Sequence, residues 1–254
     1  MRPILIKFDG LGIPSYGTML VISFLVALFL VKRNTKRYNI PGAMIENLAF
    51  WIMVGVIIGG RVLYVLFHLE EFSDFFSIFE IWNGGMMFFG GFIGALLAGL
   101  IYVKRAGLSV LLLADIISPS IALGEFFTRI GCFLNGCCFG IPTSLPWGVK
   151  FPPGSFAQCA GLDSPIHPTQ LYSSLFGLLL FFFLQRILKM KHRRGEVFSL
   201  FLILYCGFRF GVDFVRYYED LPNFIINQII SITGIIIGIF LLIKSRKSKI
   251  FESP

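Results

Sequence analysis

Charge is scarce in this chain. Only 14% of its 254 residues are Asp, Glu, Lys or Arg, against roughly 25% in ordinary soluble domains. That argues against a soluble globule and against a highly charged disordered chain. Five cysteines are too few for a disulfide scaffold. There is no evident repeat or low-complexity tract, and no cleavable signal peptide, because Arg2, Pro3, Lys7, Asp9 and Pro14 break up any apolar stretch at the start. What abounds is apolar: 56% hydrophobic residues, 30 Phe and 27 Gly, with a mean hydropathy of +0.81. A chain of this composition takes lipid as its solvent.

Runs long enough to cross roughly 30 Å of hydrocarbon recur seven times, near 16–32, 47–68, 86–103, 109–131, 170–188, 196–216 and 224–243. The predicted fold is therefore an all-α integral membrane protein of seven transmembrane helices. It reads as one polytopic membrane domain over 1–254, with an N-terminal arm at 1–15 and an irregular loop region at 132–169. Formal net charge is +8, and its distribution explains it. Lys32, Arg33, Lys36, Arg37, Lys104, Arg105, Arg186, Lys189, Lys191, Arg193, Arg194, Lys244, Arg246, Lys247 and Lys249 fall in alternate loops, while Glu70, Glu71, Asp74, Glu80, Glu219 and Asp220 occupy the others. By the positive-inside rule the N-terminus lies outside and the C-terminus in the cytoplasm. The arm and the 132–169 loop are then outer-face features, and nucleic acid is not needed as a partner.

Three arginines lie inside spans. Arg61 is roughly 21 Å from the inner end of span two and Arg209 roughly 18 Å into span six, at the helical rise of 1.5 Å; Arg129 is near the outer end of span four. Each costs about 2.5–3.5 kcal/mol at mid-membrane even on a lenient scale. Glu125 precedes Arg129 by four residues and Asp213 follows Arg209 by four, spacings that support ion pairs. Arg216 is expected to reach the interface. Convergent guanidiniums in the outer leaflet suit a phosphate, which arginine binds in bidentate fashion, and a phospholipid headgroup supplies one at that depth. Tyr205, Arg209, Asp213 and Arg216 share one helix face. Gly84, Gly85, Gly90, Gly91 and Gly94 open span three. They read either as close helix packing or as places where backbone N–H groups approach a substrate. Gly55, Gly59 and Gly60 read as packing alone.

Cys132, Cys137, Cys138 and His167 match no usual metal-ligand spacing, so neither metal nor cofactor is expected; a disulfide among Cys132, Cys137, Cys138 and Cys159 stays open. Cys206, in mid-span, reads as a small hydrophobe.

The order of motifs resembles the prolipoprotein diacylglyceryl transferase family over nearly the whole chain. The matching pieces are Tyr16-Gly17; Gly59-Gly60-Arg61 through Phe67; Trp82-Asn83-Gly84-Gly85-Met86 with Gly90-Gly91; Arg129-Ile130-Gly131 with Asn135-Gly136 and Gly140; His167-Pro168-Thr169-Gln170-Leu171-Tyr172; and Phe208-Arg209 with Asp213 and Arg216. The resemblance implies a multi-pass enzyme of the bacterial inner membrane with its active site facing the outer leaflet. Its partners would be phosphatidylglycerol, prolipoprotein signal peptides and membrane lipids. In the implied reaction a lipobox cysteine takes the diacylglyceryl group, forming a thioether and releasing glycerol phosphate. It further implies Arg129, Arg209 and Tyr205 as catalytic residues; Glu125, one turn before Arg129, is read from its position either as the base or as the counter-ion of Arg129. Arg129, Arg61, Tyr16, Gly90, Gly91, Asn135, Gly140 and Asp213 would bind the lipid, and His167, Gln170, Tyr172 and Arg216 would position the site.

Four positions depart from the family's pattern. Phe89 stands where a histidine precedes Gly-Gly, Cys132 where asparagine follows the key arginine, Cys137 where glutamate follows Asn-Gly, and Asp213 where glutamate is usual. These departures leave room for a different acceptor on the same phospholipid donor, or for a non-catalytic phospholipid-binding protein.

Overall fold

A computed structural model describes residues 2–8, 11–72, 76–80, 84–246 and 250–251. Seven helices in it are long and apolar enough to cross a membrane: α1 (Ser15–Thr35), α2 (Gly42–Phe67), α3 (Phe88–Arg105), α4 (Val110–Asn135), α6 (Thr169–Lys189), α7 (Glu196–Val212) and α8 (Leu221–Arg246). The short α5 (Phe156–Cys159) lies between α4 and α6. Trp82, Asn83, Asp74, Lys247 and Lys249, used above, lie outside the described residues.

Differences from the sequence reading fall at element ends. The spans expected from 47 and up to 131 are longer. α2 starts at Gly42 behind Pro41 as its N-cap, where proline's fixed φ and missing N–H suit a helix entry. α4 runs on to Asn135 and stops at Gly136, whose φ of +81° forms the left-handed cap glycine favours. The amide of Gly136 then bonds the Cys132 carbonyl at 2.8 Å, so the irregular segment begins at 136 rather than 132. The N-terminal arm, expected without strands, is an antiparallel hairpin of β1 (Ile4–Phe8) and β2 (Leu11–Pro14). Its Pro3 carbonyl accepts from the Ser15 amide at 2.9 Å, tying the arm to the start of α1. A second two-stranded pair joins β3 (His192–Arg193) to β4 (Ile250–Phe251).

The chain forms two compact units, Met1–Asn34 with Ala114–Pro254, and Thr35–Leu113. In the first unit, lipid-type side chains point outward: Phe29, Phe182, Ile236 and Phe240 are each more than half exposed. Small polar residues lie inside. Ser174 Oγ on α6 donates to the Phe126 carbonyl of α4 at 3.1 Å, Ser23 Oγ on α1 donates to the Gly124 carbonyl at 3.3 Å, and Asn34 and Gln185 exchange two amide bonds. A Cβ at Gly177 would come within 2.8 Å of the Ala122 carbonyl, so α4 and α6 meet at backbone distance. Small contacts plus hydrogen-bonding polar groups are how helices associate where lipid removes the hydrophobic drive. Cys206 packs into the notch at Gly234 on α8, as expected of a small hydrophobe.

In the second unit, Gly55 and Gly59 of α2 face Gly90 and Gly94 of α3 so closely that a Cβ at any of the four would overlap the opposite backbone. This is the close crossing small residues permit, and it gives Gly90 a packing function. Gly91 is looser, its Cβ position 3.3 Å from the Val56 carbonyl oxygen.

Asp115 fixes the start of α7. It is fully buried on α4 and accepts from the Gly195 amide at 2.6 Å and the Phe198 amide at 2.8 Å, two donors that a helix start leaves without intrahelical partners. The N-cap residue itself, Gly195, has no side chain to do this. Asp115→Ala orphans both amides at about 1–3 kcal/mol each. It should lower the thermal midpoint of the detergent-solubilised protein by several degrees, and an unchanged midpoint would show that the cap adds nothing.

Candidate active site

The first unit gathers most of the residues singled out in the sequence. On α4, Arg129 donates from Nε to Glu125 Oε1 at 2.6 Å, both side chains largely shielded. The spacing of four dictates this pair. Tyr205 on α7, stacked on Phe201 at 5.5 Å between centroids, lies beside Arg129 and within electrostatic reach of Glu125 and Arg209. Tyr16, at the start of α1, lies among Cys132, Cys137, Cys138 and Arg129. It reaches them because Gly131 lets α1 approach: a Cβ there would stand 3.3 Å from the Tyr16 Cα.

Arg209 reaches three acceptors through Nη2: Tyr218 Oη at 3.1 Å, Asp213 Oδ1 at 3.2 Å and Asn227 Oδ1 at 3.4 Å. Asp213 is buried, and its Oδ1 also accepts from the Tyr218 hydroxyl at 2.8 Å. Tyr218 therefore receives from the cation and donates to the anion, closing a triangle. Burial, with the bond to Asp213, pushes its hydroxyl above the ordinary phenol range. Sequence reasoning missed Tyr218 and Asn227. Tyr218 is five residues past Asp213, beyond a non-helical bend, and Asn227 arrives from α8.

Arg209 lies within electrostatic reach of both Arg216 and Arg129, so Arg216 belongs to the cluster, with its guanidinium 5.6 Å from the Tyr218 ring. Arg61 is in the second unit and its donors are taken. Nε bonds the Ile78 carbonyl at 2.7 Å, Nη1 those of Gly84 and Gly85 at 2.7 and 3.0 Å, and Nη2 that of Ser77 at 2.9 Å. Phe72 and Tyr64 flank the guanidinium. Four carbonyls satisfy most of its five N–H donors, which makes Arg61 a brace for the 77–85 segment rather than a ready phosphate ligand.

The loop after α4 is pinned from the start of α6. Gln170 Nε2 donates to the Cys137 carbonyl and Thr169 Oγ1 to the Cys138 carbonyl, both at 2.8 Å. Asn135 lies beside the Cys137 thiol, which donates to the Cys132 carbonyl at 3.8 Å. Gly140 sits between His167 and Val215, where a Cβ would come within 2.6 Å of both carbonyls, and its amide bonds the His167 carbonyl. His167 Nδ1 is 3.2 Å from the Tyr172 hydroxyl, which accepts from Trp147 Nε1 at 2.8 Å. Gly140, His167, Gln170 and Tyr172 thus shape the loop.

Folding also does what linear spacing did not suggest. The thiols of Cys132, Cys137 and Cys138 lie within 4.8 Å of one another, and all five cysteines are free. Hydrogen bonds from Cys132 and Cys137, then the charges of Arg216 and Arg129, pull the Cys138 thiol well below its ordinary range. Cys137, Cys138, Cys159, Arg216 and Tyr218 line a cavity of about 390 Å³. The site thus offers guanidiniums for an anion beside a nest of sulfur.

Comparison with known proteins agrees with the motif reading. The profile described as prolipoprotein diacylglyceryl transferase matches residues 3–244. A phosphatidylglycerol–prolipoprotein diacylglyceryl transferase of Clostridium tetani is 37% identical over 242 residues, covering 94% of this chain and 96% of the relative. The enzyme of the same name from Methylococcus capsulatus is 36% identical over 254 residues, with 94% of each covered. That of Vibrio parahaemolyticus is 33% identical over 263 residues, covering 98% of this chain and 93% of the relative. A family match over nearly the whole length, carried by seven membrane-spanning helices, establishes that this chain belongs to the prolipoprotein diacylglyceryl transferase family.

Proposed function

We propose that this protein transfers the diacylglyceryl group of phosphatidylglycerol to the lipobox cysteine of prolipoproteins. The observation that carries the reading is the partly buried cluster of Arg129, Arg209 and Arg216, held by Glu125, Asp213 and Tyr218. The relatives' names join the same donor and acceptor. In the reaction the acceptor thiol gives up its proton and its sulfur attacks the glyceryl carbon bonded to the phosphate oxygen. That carbon–oxygen bond breaks, its electron pair goes to the phosphate, and glycerol phosphate leaves. Charge grows on the phosphate as the bond breaks, and pre-oriented guanidiniums in a site of low dielectric are what stabilise it.

Glu125 holds Arg129 through Oε1, and its Oε2 is the oxygen that receives the thiol proton. Tyr205 and Tyr16 flank the phosphate, Asn135 and Gly140 form the loop beside it, and His167, Gln170 and Tyr172 hold that loop. Gly91, outside the tightest part of its helix crossing, keeps the role of admitting the lipid. The site faces the outer leaflet of the cytoplasmic membrane, with the N-terminus outside. Supporting this are the basic last turns of α1, α6 and α8 (Lys32 and Arg33, Arg186 and Lys189, Lys244 and Arg246), which the positive-inside rule assigns to the cytoplasmic side.

The test is turnover by reconstituted protein, with phosphatidylglycerol and a lipobox peptide, read as glycerol phosphate release together with peptide mass. The peptide should gain one diacylglyceryl group, and Arg129→Ala should lower the rate by about a hundredfold or more. Glycerol phosphate release without peptide modification would point to a different acceptor. Full turnover by Glu125→Gln would remove Glu125 as the base and leave it as the counter-ion of Arg129. Tyr218→Phe keeps the ring and loses two charge-assisted bonds of about 1.5 kcal/mol or more each. It should lower kcat about tenfold, while an unchanged kcat would detach Tyr218 from the anion site.

A further inference from the structure

We propose that Cys132, Cys137 and Cys138 form a three-thiolate site for a thiophilic divalent cation, Zn2+ fitting best, whose fourth coordination position opens toward the adjoining cavity. Tetrahedral zinc holds sulfur at about 2.3 Å, which sets ligand sulfurs about 3.8 Å apart. The three thiols already lie within 4.8 Å of one another, so closing on a cation moves each sulfur by no more than about 1 Å. Two restraints hold this arrangement. The carbonyls of Cys137 and Cys138 are fixed by Gln170 and Thr169. Cys138 itself adopts φ of +63°, a left-handed conformation uncommon for a residue with a Cβ, which turns its thiol back toward the other two.

Charge and access point the same way. Three thiolates around one divalent ion leave a net negative charge, and Arg216 and Arg129 lie within electrostatic reach of Cys138. Cys137 and Cys138 line the cavity of about 390 Å³, so an incoming ligand reaches the metal from there. Three protein ligands with an open fourth position are the arrangement of catalytic rather than structural zinc.

On the transferase reading, that position takes the acceptor cysteine. A thiol bound to zinc is deprotonated outright. Its proton passes to Glu125 and its sulfur stays on the metal until it attacks the glyceryl carbon. The site would then supply acceptor activation.

The experiment uses the full-length protein in detergent under reducing conditions, with Co2+ and then Zn2+ as probes. One Co2+ per chain should bind with thiolate-to-metal charge-transfer absorption and be displaced by Zn2+. Cys132→Ser, Cys137→Ser and Cys138→Ser should each weaken binding by more than the roughly 10–100-fold that loss of an outer-shell partner costs, while Cys206→Ser binds normally. Should a serine variant misfold, wild-type protein decides: Zn2+ should protect these three thiols from maleimide, as read by peptide mass. Absence of binding, binding unchanged in the variants, or a disulfide that persists under reduction overturns the site, and loss of metal from Cys159→Ser overturns the open fourth position. A lipobox peptide should shift the cobalt spectrum and its serine analogue should not. Transfer that survives complete metal removal overturns acceptor activation and leaves the transferase reading standing. Metal bound with no transfer upholds the site and counts against that reading.

Discussion

Every arginine inside this protein faces the same cost, about 2.5–3.5 kcal/mol for a guanidinium held in hydrocarbon on the most lenient scale. The answer differs from one arginine to the next. Arg129 is met by the Glu125 carboxylate a turn away, at 2.6 Å through Nε, with Tyr205 beside it. Arg209 is met by a carboxylate, a phenol and an amide, all on one Nη. Arg61 is met by four backbone carbonyls that use Nε and both Nη groups. On the proposed function, the partial neutralisation of the first two leaves them to bind the phosphate, whereas Arg61 braces its own segment.

The fold follows from keeping that cluster in place. Backbone-distance contacts at Gly131 and Gly177, and serine bonds to the carbonyls of Phe126 and Gly124, hold α1, α4 and α6 together. Asp115 ties α4 to the first turn of α7. α4 carries Arg129 and α7 carries Arg209, so the same two helices that are joined through Asp115 present the two cations. The loop past α4 is fastened by Gln170 and Thr169 at the first turn of α6. Polar side chains here serve as mortar because lipid gives helices no reason of its own to pack.

Apolar length is a local property, so seven spans were legible in the sequence; their ends were not. The span read from 47 starts earlier, at Gly42 behind Pro41. The glycine-rich stretch after Thr128 looked irregular, whereas α4 continues until Gly136 turns left-handed. Pairs at spacing four, Glu125 with Arg129 and Arg209 with Asp213, could be read directly because the helix sets their geometry. The relays through Tyr218 and Asn227 cross a bend and a second helix, and the carbonyls around Arg61 belong to a segment that only tertiary folding brings near. The three-thiol nest was hidden for a related reason. Its spacing follows no repeat: left-handed Gly136 turns the backbone between Cys132 and Cys137, and Cys138 is itself left-handed.

The central claim is that Arg129 and Arg209 act on one bound phosphate. The direct measurement is a double-mutant cycle on phosphatidylglycerol affinity in nanodiscs, using Arg129→Gln, Arg209→Gln and the combination. If both guanidiniums hold the same headgroup, the two losses will be non-additive, with a coupling of about 0.5–3 kcal/mol. Strict additivity, or affinity unchanged by either substitution, would contradict the account.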